Sequence, residues 1–380
     1  MVPIVILGIV AFVTSFGAHV VAVNLPAYAA QVGIGLAMIG LLISAYDAAE
    51  VVAKPLFGAV ADRRGMKQTM LAGLALFILA SLLYLWVDPR WLLLIRFLQG
   101  VGAAALSAVS LALVSAYALE RRGRAYGIYN SIKGAGYVAS PPVGGAILLQ
   151  GDFSMIFVAA AAIGLFAFFV SLFLPSPKGE PAGLEDDGPA LSGLWTVFRQ
   201  STLWPWYLVT VVNMFFVGIL FGFLPVRVYA LGYGPWINGI LLTGVTASYL
   251  LIQPIAGALA DRVNPVLTIR GGLFLAGAAV LLIPFVTGAL LLLIGILAGL
   301  GVGTVWTNTD AVISQQARVG RMGATMGVAG TFKEIGDMLG PFSIGLVSQA
   351  FGLTIGFVVC GGLGLLSLAL ISRRQGHRPA

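Results

Sequence analysis

Apolar runs long enough to cross a bilayer recur along nearly the whole chain, and no other feature limits its fold so tightly. They lie at roughly 4–28, 36–60, 68–87, 91–118, 125–149 and 154–174, then at 203–229, 236–260, 266–286, 289–314, 323–349 and 352–372. A helix needs about 20 apolar residues to cross the hydrocarbon core. Only 9% of the 380 residues are charged and 59% are hydrophobic, whereas a soluble domain carries about 25% charge. The expected fold is therefore an all-α membrane protein with twelve transmembrane helices, nearly all of it in the bilayer.

An even number of spans brings both termini to one side, and Lys and Arg show which side that is. The termini's side holds Arg63, Arg64, Lys67, Arg121, Arg122, Arg124, Lys178, Arg199, Arg262, Arg270, Arg318 and Arg321, with Arg373, Arg374 and Arg378 in the tail; the opposite side has Arg90 and Arg227. Both termini are thus expected in the cytoplasm, in a multi-pass protein of the inner or plasma membrane. The net charge of +7 then reports orientation rather than nucleic-acid binding. Cys360 is the single cysteine, set in an apolar run, and the two histidines form no metal-binding spacing, so neither a disulfide framework nor a metal site is expected. The chain enters an apolar helix by Pro3 with no basic leader, which gives no sign of a cleavable signal.

The segment 175–200 is rich in Pro, Gly and acid and reads as a cytoplasmic linker. It separates an N-terminal six-helix bundle, 1–174, from a C-terminal one, 201–380. The two halves repeat each other. Leu25-Pro26 recurs as Leu224-Pro225, Gly33 as Gly232, GAVADR at 58–63 as GALADR at 257–262, and Gly100 and Gly102 as Gly299 and Gly301. After one inserted residue, Gly127, Lys133, Gly136, Pro141 and Gly145 recur as Gly327, Lys333, Gly336, Pro341 and Gly345. Six spans per half make these parallel repeats, an arrangement of transporters whose site lies between the halves and is exposed alternately to each side.

At GAVADRRGMKQ (58–68) the sequence resembles the major facilitator superfamily, whose loop between helices 2 and 3 carries G-x-x-x-D-R-x-G-R-[KR]. Gly58, Asp62, Arg63, Gly65 and Lys67 match, and Met66 replaces the first basic residue of the closing pair. In that family this element locks the cytoplasmic side of the outward-facing state, which here implies Asp62 acting with Arg121 or Arg124; plain topological anchoring by basic residues is the other reading. Arg96, Gln99, Gly100 and Gly102 are similar to the family's R-x-x-Q-G-x-G element, whose arginine is implicated in proton transfer. The alternative for Arg96 is a side chain snorkelling to the outer interface. Gly127, Gly136, Pro141, Gly144 and Gly145 fit the antiporter element of helix 5, with Ser140 in place of the glycine before proline. Small residues let helices approach closely and proline frees backbone groups. The resemblance spans the chain and implies the superfamily's fold of two pseudo-symmetric six-helix bundles, close to the twelve-helix drug:proton antiporters.

Charges inside the spans are costly facing lipid and mark functional surfaces. They are Lys54, Arg96, Lys133 and Lys333 against Asp47, Glu50, Asp310, Glu334 and Asp337. Asp47, Glu50 and Lys54 share a helix face, as do Lys333 and Asp337 at i, i+4. Two arrangements stand open: a charge network across the seam between the halves, through Glu50 and Lys333, or self-neutralised helices with Glu50 on Lys54 and Lys333 on Asp337. The acids outnumber the bases by one, and desolvation favours the neutral form of a carboxyl group, which suits one acid to carry a proton. Asp47 and Glu50 lead as candidates, then Asp310 and Asp337. The first helix offers His19 and Asn24 instead of the acid common in drug:proton antiporters.

No GxxxxGK[ST] element is present, so energy should come from an ion gradient rather than ATP. By resemblance, helices 1, 4, 7 and 10 line the substrate path, which nominates Phe16, His19, Asn24, Asn213, Met214, Phe215, Phe216, Trp306 and Asn308, with Asp310. An aromatic, Met-containing wall with few polar groups suits amphipathic organic molecules. The sequence therefore points to a secondary active transporter, not an enzyme: a proton-coupled antiporter exporting drug-like or amphipathic small molecules. The alternatives are a symporter or uniporter of a polar metabolite, such as a sugar or organic anion, or a lipid transporter. Its expected partners are substrate, protons and the bilayer, with no nucleic acid and no cofactor, in a monomer.

Overall fold

The computed structural model of the protein describes residues 2–117, 122–149, 153–175, 197–317 and 322–372. Among these, helices follow one another with almost no other structure: α1 (Val2–Gln31), α2 (Leu36–Arg64), α3 (Met66–Leu83), α4 (Leu92–Tyr117), α5 (Arg122–Leu148) and α6 (Ser154–Leu172). They continue as α7 (Trp204–Ala230), α8 (Pro235–Arg262), α9 (Pro265–Leu282), α10 (Gly288–Gln316), α11 (Met322–Phe351) and α12 (Leu353–Ser372). Among the described residues, nine of these helices are long and apolar enough to cross a membrane. The composition of α5 and α11 explains why they fall short: both are rich in glycine, and they carry Lys133, Lys333, Glu334 and Asp337. The linker segment expected at 175–200 lies mostly outside the described residues.

Local chemistry sets the helix ends. Asn264 caps α9 by accepting a hydrogen bond from the Val266 amide at 2.8 Å, with Pro265 in the first turn. Gly33 and Gly232, equivalent in the repeat, take φ of 73° and 79° in the turns that follow α1 and α7, a conformation that side chains resist. The repeated Leu-Pro pair behaves differently in the two halves. Pro26 sits inside α1 without ending it, whereas Pro225 follows a break at Phe223 that divides α7 into Trp204–Gly222 and Leu224–Ala230. Proline has no N–H to bond back to the preceding turn, so an interruption of one continuous span is its natural outcome.

Contacts divide the described residues into two compact units. The first contains those of 2–34, 41–175 and 233–240; the second contains those of 35–40, 197–232 and 241–372. Within the first, α1 packs most extensively on α5 and α3 on α4. Within the second, α7 packs on α11 and α9 on α10. Leu7, Met70, Leu74, Phe77, Leu106 and Leu113 centre the first core, and Tyr207 stacks on Phe332 at 4.7 Å in the second. Side chains such as Leu251 and Leu366 are largely exposed, as suits surfaces meeting lipid.

Glycine contacts show that the duplication extends to packing. A Cβ on Gly100 would lie 2.3 Å from the Tyr46 carbonyl oxygen, and one on Gly299 would lie 2.4 Å from that of Val245. Gly102 faces the Phe77 amide nitrogen at 2.8 Å and Gly301 that of Ala276 at 2.6 Å; Gly136 faces the Phe12 oxygen at 2.8 Å and Gly336 that of Val211 at 2.4 Å. In every case the partner's number rises by 199. Helices in lipid gain little from apolar burial and associate through such close backbone approach.

Candidate functional site

The polar groups of the second unit converge where α7, α10 and α11 meet. Thr210, Asn213 and Met214 on α7, Trp306, Thr309 and Asp310 on α10, and Lys333 on α11 line one small pocket, with room for about one water molecule. The Lys333 ammonium donates to Asp310 Oδ2 at 2.6 Å, and the two side chains are 19% and 26% exposed. The same ammonium lies 4.7 Å from the centre of the Trp306 ring, a cation–π contact. Trp306 in turn meets the Tyr249 ring at 5.4 Å. Asn213 donates to the Val302 carbonyl at 3.2 Å and Thr210 to that of Trp206 at 2.9 Å. Among the described residues, Asp310 Oδ1, Asn213 Oδ1 and Thr309 Oγ1 are buried without a hydrogen-bond partner.

Of the two arrangements left open, these contacts depart from the one that pairs Lys333 with Asp337. Helical spacing places Asp337 on the lysine's own face, but α10 delivers a carboxylate that the lysine takes instead. The Glu50–Lys54 pair forms as the spacing allows, at 2.5 Å within α2. Asp47, Lys133, Glu334 and Asp337 are all partly buried and engaged in interactions.

The first unit holds a second polar knot around Arg96, which is 2% exposed. One guanidinium nitrogen donates to Gln99 Oε1 at 2.8 Å and the other to the Ala18 carbonyl at 3.3 Å. Gln99 donates onward to Ser81 Oγ at 3.0 Å, and the Tyr46 ring lies 4.5 Å from the guanidinium carbon. Arg96 therefore does not snorkel to an interface. Interior acceptors and an aromatic face offset the cost of burying its charge.

The expected cavity residues divide. Met214, Asn213 and Trp306 line the pocket. Phe216 is fully buried and points at Gly364 and Gly277, where it fills glycine notches on α12 and α9. That orientation makes it a packing side chain of its unit. Phe16 is likewise buried and stacks on Phe12 at 5.5 Å, and Phe215 offers its backbone carbonyl to Gly340. Asn308 and Asn24 donate to the carbonyls four residues earlier, Thr304 at 2.9 Å and Val20 at 2.7 Å. His19 Nδ1 lies 2.9 Å from the Ser15 carbonyl, which puts its proton on that nitrogen, and its ring meets Tyr137 edge-on at 4.4 Å.

Of the expected gating residues, Gly65 precedes α3 with φ 92°, and Gly58 is partly exposed within α2. Lys67 donates to the Leu172 and Leu174 carbonyls at 2.8 and 2.7 Å. It thus closes the C-terminal end of α6, where a cation favours the helix dipole. Gly136 nests against Ser15 and Phe12, and Ser15 Oγ donates to the Lys133 carbonyl at 2.8 Å. The Pro141 carbonyl meets Gly239 within the first unit. Arg121 and the side chains of Asp62, Arg63 and Arg124 lie outside the described residues. Thr210 and Thr309 escaped the sequence reading, although each shares a helix face with a nominated residue, Asn213 and Trp306 respectively, three positions away.

The model of the Major Facilitator Superfamily matches residues 7–247 and 207–379. The chain belongs to this superfamily. It is 25% identical to the multidrug resistance protein Stp of Mycobacterium tuberculosis over 404 aligned positions, covering 90% of this chain and 75% of that protein. It is 25% identical to the class D tetracycline resistance protein of Salmonella ordonez over 346 positions, covering 87% and 85%. The crystal structure of a mutant of the nucleoside transporter NupG superposes with a TM-score of 0.81 at 14% identity, covering 97% of this chain and 99% of that one. At that identity the likeness establishes fold alone: twelve helices in two pseudo-symmetric bundles. The protein is a multi-pass membrane transporter of small molecules, not an enzyme.

Proposed function

We propose that this transporter is a proton-coupled antiporter that exports drug-like or amphipathic small molecules across the inner or plasma membrane by alternating access, with both termini in the cytoplasm. The observation that carries the reading is the Asp310–Lys333 pair, 2.6 Å apart and only partly exposed inside membrane helices. A carboxylate in that setting is stable while an ammonium faces it or a proton neutralises it. It therefore has two states, and exchange between them couples proton movement to the helices that hold it. Moving one charge through 100 mV supplies about 2.3 kcal/mol. The antiporter-like helix 5 element and the drug-resistance relatives support export. In this scheme the segments 1–174 and 201–380 act as the two moving bodies, joined by the linker, and the protein works as a monomer. Lys333 is already held by Asp310, which disfavours its use as an anion receptor and so counts against organic-anion uptake.

The test is transport in proteoliposomes under an imposed pH gradient with a panel of compounds. Proton release linked to compound entry into the vesicles is expected, and Asp310→Asn should abolish the drive of the gradient. Co-directional movement of proton and substrate would replace this reading with symport.

A further inference from the structure

The second unit holds a cation between a carboxylate and an indole face, and that cation belongs to the protein itself. The Lys333 ammonium lies 2.6 Å from Asp310 Oδ2 and 4.7 Å from the Trp306 ring centre, with Tyr249 adjoining the indole. A carboxylate beside an aromatic face is chemistry that recognises organic ammonium ions. The unmatched atoms around it sharpen the point. Asp310 Oδ1 and Asn213 Oδ1 are acceptors, Thr309 Oγ1 accepts as well as donates, and all three are buried without partners. Asn213 and Thr309 are each 2% exposed. The pocket therefore presents spare oxygens, and its charged donor is Lys333. An anion would face the Asp310 carboxylate, and a purely apolar molecule would leave the oxygens unmatched. A positively charged amine satisfies both demands.

We propose that Lys333 is a tethered competitor: its ammonium holds the place that an amphipathic organic cation takes on Asp310 and Trp306, and such a cation binds by displacing it. This names a substrate class for the exporter reading above and rests on it. Two ammonium groups on one carboxylate repel, so ligand and lysine exclude each other. The displaced lysine has a flexible four-carbon stem and, one turn along its own helix, Asp337 at i+4. Because the lysine is covalently attached, it acts at high effective concentration. A simple amine offering charge alone does not outcompete it; an amine with an apolar body gains additional burial energy and does. Lys333 thereby selects for amphipathic cations over small ones.

The test is equilibrium binding of the cationic dye rhodamine 6G to the purified full-length protein in detergent, followed by fluorescence anisotropy with no gradient present. Lys333→Gln should tighten binding about fivefold, the scale of one partly exposed ion pair. Lys333→Arg, which keeps a cation on Asp310, should return affinity to the wild-type level, and adding Trp306→Leu to Lys333→Gln should remove the gain. Lys333→Met gives the same measurement should Gln disturb packing. Unchanged, weaker or undetectable rhodamine 6G binding by Lys333→Gln would overturn the proposal. So would an equal gain for the uncharged compound chloramphenicol, which would mean only that the pocket had widened. Binding is read without a proton gradient, so loss of antiport in vesicles would remove the exporter reading while leaving this measurement intact. Proton-driven export with an unaltered Lys333→Gln affinity would remove the competitor alone.

Discussion

Replacing Gly303 with alanine tests the packing that holds the pocket together. The new Cβ would lie 2.2 Å from the Tyr249 carbonyl oxygen and 2.5 Å from Ile252 Cγ2, where ordinary contact begins near 3.4 Å. The obstacle is backbone, so no rotamer change relieves it, and α10 must move away from α8 by about 1 Å. Overpacking of this kind costs about 1–3 kcal/mol, against which the better helix propensity of alanine returns about 1 kcal/mol. The net expectation is destabilisation of up to about 2 kcal/mol. Gly330 on α11 has nothing within 4 Å of its Cβ position among the described residues, so Gly330→Ala keeps the propensity gain and should stabilise. Thermal unfolding of both variants in one detergent, scanned at one rate, reads the difference. At about 2–4 °C per kcal/mol, Gly303→Ala should melt several degrees below Gly330→Ala. Equal melting temperatures would show that α8 and α10 do not touch at this point, and the placement of Tyr249 against Trp306 would fall with that contact.

Three other perturbations report on separate parts of the molecule. Gln99→Leu strands a buried guanidinium nitrogen of Arg96, while the Ser81 hydroxyl keeps its bond to the Phe77 carbonyl, and should cost about 1–3 kcal/mol in the same melting assay; a neutral result would mean that Arg96 finds another acceptor. Lys67→Met removes the cation from the C-terminal end of α6 and should cost about 0.3–1 kcal/mol, read as faster amide exchange in the residues leading to Leu174. Asn264→Ala removes the α9 cap and should cost about 1 kcal/mol, with faster exchange confined to the first turn of that helix.

The sequence displayed the architecture because its determinants are one-dimensional. Span length and the register of the repeat both lie along the chain. Partner choice is not one-dimensional. Lys333 and Asp337 are one turn apart and invite pairing, yet the lysine reaches Asp310, 23 residues away, because a neighbouring helix brings that acid within reach. Arg96 posed the same difficulty. Its alternative as an interface residue is sensible until the Ala18 carbonyl and the Tyr46 ring, which belong to other helices, supply what water would have supplied. Phe216 was nominated by helix number; its rotation about α7 is set by notches at Gly277 and Gly364 that no local pattern announces. The break at Phe223 also depends on context, since Leu25-Pro26 leaves α1 whole.

The matched glycine contacts carry an implication for how the two halves diverged after duplication. Their numbering slips by one residue somewhere after position 102 and before position 127, yet the contacts on either side of the slip are equivalent. The length change was absorbed without turning any rod out of phase. Deleting a single residue in the middle of a span would rotate everything beyond it by about 100° and swing each downstream notch off its ridge. Single-residue insertions should accordingly be rejected within the fourth or the fifth rod.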